Sequence, residues 1–285
     1  MILTCQHLSI FLCTIQAIGK LPNSDSPRLD AEVLLCHVCG VTRSYLYTWP
    51  DKILTNSQFA QFQALLARRA QGVPIAYLTG HKEFWSLDLR VDENTLIPRP
   101  ETELLVEQAL VRLPPNSQAQ VIDLGTGSGA IALAIALECP QCRVLGIDKS
   151  TAALKVAQAN AQRLNLQRVE FLISNWWKAL GELKATLIVS NPPYIAVADP
   201  NLIQGDIKSE PRCALVAGTD GLADIRQIIA TSFSHLVTRG WLLLEHGYDQ
   251  AEAVQELFKQ SAYKAITTYH DLAGLPRVTV GQRYA

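Results

Sequence analysis

Val121-Ile122-Asp123-Leu124-Gly125-Thr126-Gly127-Ser128-Gly129 opens a stretch that runs through the apolar residues 130–137 to Val144-Leu145-Gly146-Ile147-Asp148. Four residues with almost no polar interruption, closed by glycines, read as a short buried strand and the turn that ends it. Glycine is needed where the backbone turns tightly and a ligand approaches without a Cβ in the way. Residues 130–137 predict a helix, and Val144 to Ile147 a second strand. Strand, glycine loop, helix and strand form the repeating unit of a parallel sheet with ligands at the carboxyl ends of its strands.

The alternation continues downstream. Ser150 is placed to cap a helix reaching Leu164. Residues 169–173 and 186–190 read as strands, residues 222–238 as a helix, and 241–244 as a further strand. A helix and two strands finish the chain. The fold class is therefore α/β, with a doubly wound sheet.

Upstream the pattern changes. Residues 1–74 predict a small helical domain: Leu29, Val33 and Cys36 recur at helical spacing, as do Phe59, Phe62, Leu65 and Leu66, until Gly72 and Pro74 intervene. Residues 75–97 predict a β-hairpin linker, because Leu87, Leu89 and Val91 alternate with Asp88, Arg90 and Asp92; Gly80 supplies its turn. Pro98 and Pro100 hold the next residues extended. Glu101 begins a helix to Leu113, its carboxylate near the positive helix end. The sheet domain spans 98–285.

Composition narrows the function. Of 285 residues 48% are hydrophobic and 18% charged, which fits a globular protein, and the net charge of −1 lacks the basic surplus of most duplex nucleic-acid binders. No direct nucleic-acid binding is expected. Residues 1–18 lack a basic leading region, and no run reaches the roughly 18 apolar residues of a membrane span. Seven cysteines, an odd number, argue for a reducing, cytoplasmic compartment. Cys36/Cys39 and Cys139/Cys142 have zinc-like spacing. The first pair sits in a helical apolar pattern and the second at a turn, so no metal site is expected.

The glycine loop satisfies the pattern of a dinucleotide site through Gly125, Gly127 and Ala130. Asp123 tilts the reading elsewhere, since a carboxylate suits the ammonium group of a methionine-linked cofactor better than a pyrophosphate. Asp148 ends the second strand where an acidic side chain accepts hydrogen bonds from a ribose diol.

Asn191-Pro192-Pro193-Tyr194 follows the strand at 186–190 and so falls at the carboxyl edge of the sheet. An amide nitrogen is a weak nucleophile because its lone pair is delocalised. The Asn191 side-chain oxygen and the Pro192 carbonyl can both accept its N–H groups, and the Tyr194 ring offers a flat face on which a planar amide stacks. Positioning alone lowers such a barrier by several kcal/mol, roughly. The tetrapeptide resembles that of methyltransferases acting on planar nitrogens.

Over nearly the whole chain the sequence resembles the release factor glutamine methyltransferase family. The resemblance is carried by Ser26-Pro27-Arg28-Leu29-Asp30-Ala31-Glu32, by Arg68-Arg69 through Gly80, by residues 96–103, by the glycine loop and tetrapeptide, and by Leu243-Leu244-Glu245-His246-Gly247. It implies a seven-stranded, Rossmann-like methyltransferase domain that uses S-adenosyl-L-methionine. Contacts to that cofactor would come from Gly125, Thr126, Gly127, Ser128, Gly129, Asp148, Trp176 and Asn191. Asn191, Pro192, Pro193 and Tyr194 would hold the substrate, the glutamine of the Gly-Gly-Gln motif in class 1 peptide chain release factors. Relatives commonly carry Asp before one Trp, where this chain has Asn175-Trp176-Trp177; by alignment of position Trp176 is the ring expected to face the cofactor, with Trp177 a core residue. A related family methylates glutamine on a ribosomal protein, and adenine N6 methylation would need similar geometry. Arg99 and Glu101 either shape the substrate mouth or only fix the linker. His81, His246 and His270 are assigned no role.

Overall fold

The computed structural model describes residues 8–114 and 116–284. The leading residues 1–7, which entered the reading of the N-terminal stretch, lie outside the described residues. Two compact units result: residues 1–80 with 203–209, and residues 81–202 with 210–285.

The smaller unit is helical, with α1 (Ile10–Ile18), α2 (Pro27–Cys39), α3 (Arg43–Thr48), α4 (Asn56–Ala70) and α5 (Ile75–Thr79). Ala31, Leu34, Leu35, Phe62 and Leu66 are buried between them. A capping box starts α4: Thr55 Oγ1 accepts the Gln58 N–H at 3.2 Å, and the Gln58 side chain accepts the Thr55 N–H at 3.0 Å. The buried carboxylate of Asp30 accepts from Arg69 Nε at 2.7 Å, and Arg69 Nη1 reaches Asp206 at 2.6 Å. One guanidinium thus ties α2, α4 and the 203–209 segment together, a paired arrangement without which burying Asp30 would be costly.

The larger unit begins with a hairpin, β1 (His81–Phe84) and β2 (Leu87–Arg90). Its turn is Trp85-Ser86, at φ 52° and 58°, as a tight two-residue hairpin requires. Gly80, expected to make that turn, instead caps α5 at φ 76°; a left-handed glycine serves a helix end as readily as a turn. Residues 75–79, read from the sequence as part of the hairpin segment, form α5.

Then come α6 (Glu103–Arg112), β3 (Gln120–Leu124), α7 (Ala130–Glu138), β4 (Arg143–Asp148), α8 (Thr151–Arg163), β5 (Glu170–Ile173) and β6 (Ala185–Ser190). The chain closes with α9 (Ala223–His235), β7 (Leu236–Glu245), α10 (Ala251–Gln260), β8 (Lys264–His270) and β9 (Pro276–Gln282). A 3-10 turn at Pro100–Thr102 precedes α6, so the regular helix starts two residues after Glu101. The last of these strands before the C-terminal helix starts at Leu236, five residues before the expected Trp241.

Seven strands form one sheet in the order β5-β4-β3-β6-β7-β9-β8. The pairings among β3 to β7 are parallel, whereas β9 runs antiparallel to both β7 and β8. Alternate residues feed opposite faces. Val121, Val189 and Leu243 join a core under α6 and α7, while Ile122, Ile188, Leu242 and Leu244 join one under α9 and α10. A sheet buried on both faces explains strands that read as unbroken apolar runs. The order reverses between β3 and β6, which brings the loops after those two strands side by side.

Candidate active site

Register places Leu124 opposite Ser190, the last residues of β3 and β6, and Ser190 Oγ donates to the Leu124 carbonyl at 2.6 Å. The glycine loop and the tetrapeptide therefore leave the sheet next to each other. Around them lies a cleft of about 660 Å3, open to solvent and lined by Gly125, Gly127, Asp148, Trp176, Asn191 and Pro193. Asn94, Thr95 and Leu96 line it from the segment after β2, and Pro211, Cys213 and Ala214 from the loop before α9.

The loop is held from beneath. The N–H groups of Gly125 and Thr126 both donate to the Ile147 carbonyl at 2.8 Å. Gly125, Gly127 and Gly129 have φ of 76°, 55° and 86°, a left-handed region that strains any residue with a Cβ. Asp148 uses both carboxylate oxygens: Oδ2 accepts the Gly127 N–H at 3.0 Å and Oδ1 the Ser150 N–H at 2.8 Å. Capping of α8 falls to Ser150, whose Oγ accepts the Ala153 N–H at 3.1 Å. Each oxygen of Asp148 keeps a lone pair for a ligand.

Asp123 sits deeper than its sequence position suggested. It is fully buried, is not part of the cleft wall, and its Oδ2 accepts from Thr126 Oγ1 at 2.6 Å; Oδ1 has no partner. Burial, more than the opposing pull of the Thr126 hydroxyl, pushes its carboxyl up to about 7, and the charge of Asp148 adds to the rise. The side chain braces the loop and keeps one unsatisfied oxygen beneath it.

The two tryptophans separate cleanly. Trp176 is buried against the loop and lines the cleft: a Cβ on Gly125 would lie 3.6 Å from its ring. Trp177 stacks on His235, with ring centroids 4.1 Å apart and planes 4° from parallel. It belongs to the core beneath α9.

Asn191 carries the most informative geometry. Its Nδ2 donates to Thr102 Oγ1 at 3.1 Å, and its Oδ1 is buried with no partner. Tyr194 is not in the cleft wall. Its hydroxyl donates to Glu245 Oε1 at 3.3 Å, and its carbonyl accepts from Gln250 Nε2 at 2.9 Å. Burial foremost, then the Glu245 carboxylate beside it, raises the phenol well above its ordinary value. Glu245, 1% exposed, is pushed up to about 7 by burial, against the hydroxyls of Thr102 and Tyr194, which favour its charge.

The cleft therefore brings together Gly125, Gly127, Asp148, Trp176, Asn191 and Pro193, whereas Thr126, Ser128, Gly129, Pro192 and Tyr194 are not among the residues that line it. Arg99 pairs with Glu210, whose other oxygen accepts the Ile97 N–H at 3.2 Å, so this arginine fixes the linker. His246 is fully buried between Thr279 Oγ1 and the Gly247 carbonyl, each at 2.8 Å, and burial lowers its pKa.

Three residues that support the site were given no role from the sequence. Thr102 and Glu245 lie far from residue 191 in sequence, although the carboxyl-edge rule could have drawn attention to Glu245 at the end of β7. Asn160, fully buried on α8, accepts the Arg90 N–H at 2.7 Å and donates to the Ser128 carbonyl at 2.9 Å, joining the hairpin to the glycine loop.

The chain is similar to known proteins. The family described as "PrmC N-terminal domain" matches residues 15–80, and "Methyltransferase small domain" matches residues 100–210. A release factor glutamine methyltransferase of Pseudomonas aeruginosa is 50% identical over 95% of this chain and 98% of its own. One of Vibrio cholerae is 52% identical over 91% of each chain. A crystal structure of a methyltransferase from Pyrococcus furiosus matches with a TM-score of 0.55 at 17% identity, over 80% of this chain and all of that one, which speaks to the fold alone.

Proposed function

The chain belongs to the release factor glutamine methyltransferase family, and from that premise we propose that it transfers a methyl group from S-adenosyl-L-methionine to the side-chain amide nitrogen of the Gly-Gly-Gln glutamine in class 1 peptide chain release factors. The observation that carries this reading is Asn191: Thr102 holds its nitrogen, which leaves Oδ1 unpartnered at the carboxyl end of β6 beside the cleft.

The residues fit the cofactor. Gly125 and Gly127 offer a wall without Cβ atoms, Asp148 has acceptor capacity for a ribose diol, Trp176 presents an aromatic surface, and Asp123 keeps a buried oxygen unpartnered below the loop. When bound, S-adenosyl-L-methionine supplies an electrophilic methyl group on a positively charged sulfur. Asn191 Oδ1 accepts one N–H of the substrate carboxamide and the Pro192 carbonyl the other, which turns the nitrogen lone pair toward the methyl. Pro193 keeps Pro192 extended, so that its carbonyl is held in place. No ionisable base is required, because the nitrogen sheds its extra proton once the new N–C bond has formed. Tyr194 supports the tetrapeptide through its hydroxyl, which donates to Glu245.

Among the described residues no helix is long and apolar enough to cross a membrane. Substrates that act in translation place the enzyme in the cytoplasm. The direct test is incubation with purified release factor and methyl-labelled cofactor, followed by mass spectrometry of the Gly-Gly-Gln peptide. A gain of one methyl group on that glutamine is expected. Label found instead on a ribosomal protein or on adenine, with release factor unmodified, would overturn the assignment.

A further inference from the structure

Asn160 is a fully buried polar side chain on α8, a helix that otherwise buries Ala153, Leu154, Ala157 and Ala161. Asparagine is an indifferent helix former, and a buried carboxamide is costly unless its hydrogen bonds are made. Here they are made. Oδ1 accepts the Arg90 N–H at 2.7 Å, while Nδ2 donates to the Arg90 carbonyl at 3.0 Å and to the Ser128 carbonyl at 2.9 Å. The side chain pairs with Arg90 as a neighbouring strand would, and spends its second N–H on the glycine loop. This set of two donors and one acceptor is that of a carboxamide; an ionised Asp has no donor, and a Ser has only one.

Ala153, Ala157 and Asn160 recur at helical spacing and share one face of α8. Ala153 lines the cleft. Ala157 lies against Gly129, where an added Cβ would stand 3.2 Å from the Ala157 Cβ. Asn160 then catches the loop at Ser128 and the hairpin at Arg90, the last residue of β2. From Arg90 the chain runs directly to Asn94, Thr95 and Leu96, which line the same cleft as Gly125 and Gly127. We propose that Asn160 is a positioning residue for cofactor binding: it seats the glycine loop on α8 and holds the end of β2, so that two strips of the cleft wall are set before the ligand arrives. Asn160 itself is not among the residues that line the cleft. The inference rests on the cofactor named above and deepens that reading.

Asn160→Ala leaves three backbone groups without this partner: the N–H and carbonyl of Arg90 and the carbonyl of Ser128. The loop and the end of β2 gain freedom that the cofactor must remove on binding, and affinity falls by that amount. Once the cofactor is bound, Asn191 and the tetrapeptide are as before, so transfer from the saturated complex is spared. The pair of Arg163 Nη1 with Asp88 Oδ2 at 2.8 Å also joins α8 to the hairpin, but the Asp88 side chain is 58% exposed, and such surface pairs contribute little.

The test uses full-length wild type, Asn160→Ala, Asn160→Ser and Val280→Ala. The last truncates a buried side chain on β9, two strands away from β6, and serves as the control for lost stability. The readouts are equilibrium binding of S-adenosyl-L-methionine, single-turnover transfer to purified release factor at saturating cofactor, the unfolding midpoint, and hydrogen exchange of the ligand-free proteins by mass spectrometry. A wild type that does not bind S-adenosyl-L-methionine sinks the functional reading, and this inference with it. With wild type binding, Asn160→Ala should raise Kd about tenfold, the scale of a buried hydrogen bond left unmade, and anything below about fivefold overturns the proposal. Its transfer at saturating cofactor should stay within about threefold of wild type; a loss as large as the loss of affinity would mean a general collapse of the site and overturn it as well. Val280→Ala should lower the midpoint yet bind within about threefold of wild type. If it weakens binding as Asn160→Ala does, affinity merely follows stability and the proposal fails. In Asn160→Ala both 94–96 and 125–129 should exchange faster than in Val280→Ala; wild-type protection at either strip contradicts the joint role. Should Asn160→Ala not fold, the milder Asn160→Ser decides by the same thresholds.

Discussion

Replacing Asp148 by asparagine removes one acceptor and adds one donor at a place where the structure uses two acceptors. Gly127 and Ser150 each direct a backbone N–H at this side chain, at 3.0 and 2.8 Å. An asparagine satisfies one and turns its NH2 against the other, leaving a partly buried donor unmet at a cost of about 1–2 kcal/mol. The ribose diol then loses its charged partner, worth roughly 1.5–3 kcal/mol for a bond to an ionised group. Part of the first cost is already borne by the free protein, so the net loss in binding is about 3 kcal/mol, or roughly 100-fold in affinity. Calorimetric titration with S-adenosyl-L-methionine reads that loss directly, and a thermal scan of the ligand-free variant reads the strain in the loop. Transfer at saturating cofactor should be reduced far less than affinity, because Asp148 is remote from the reacting nitrogen in this account. An affinity within about threefold of wild type would refute the reasoning, since the diol would then have other partners.

Other consequences can be measured with the same material. Trp176→Ala should weaken cofactor binding by about 10- to 100-fold through loss of an aromatic wall worth roughly 1–3 kcal/mol to a stacked base. Trp177→Ala should lower the unfolding midpoint and leave affinity nearly unchanged, because its ring packs on His235; the reverse pattern in titration and melting would exchange their roles. For pH, Asp123 and Glu245 both have folded-state carboxyls raised to about 7 from their ordinary 3.8 and 4.5. The stability each contributes is full below its unfolded value and is lost as pH rises through 7. The ligand-free protein should therefore melt at a lower temperature at pH 8 than at pH 5, with a slope of up to about 1.4 kcal/mol per pH unit for each proton. Asp123→Asn should flatten that slope, and a wild-type midpoint that rises over this interval would contradict it.

Much of this was legible in the sequence, for definite reasons. A strand covered on both faces is apolar at nearly every position, so Val121 to Leu124, with Asp123 the one exception, and Leu187 to Val189 announce themselves. Glycines in the left-handed region mark the loop after β3. The hairpin turn was not legible, because Trp85 and Ser86 adopt positive φ without being glycine, while Gly80 satisfied a different end. The antiparallel direction of β9 leaves no trace in a run such as Val278-Thr279-Val280, since a strand buried on both faces looks the same in either direction. Within the site, residues adjacent in sequence could be grouped by their chemistry. The bond between Thr102 and Asn191, 89 residues apart, and the pairing of Tyr194 with Glu245, 51 apart, exist only once the sheet has formed. Tyr194 illustrates the difference: its ring suggested a stacking face, whereas the fold leaves it outside the cleft lining and anchors it by its hydroxyl.

Asn191→Ala probes the orientation of the nucleophile most directly. Single-turnover methyl transfer to purified release factor should fall by orders of magnitude, while titration finds S-adenosyl-L-methionine affinity within about tenfold of wild type. Transfer at the wild-type rate by this variant would show that the unpartnered oxygen at the end of β6 does not orient the nucleophile.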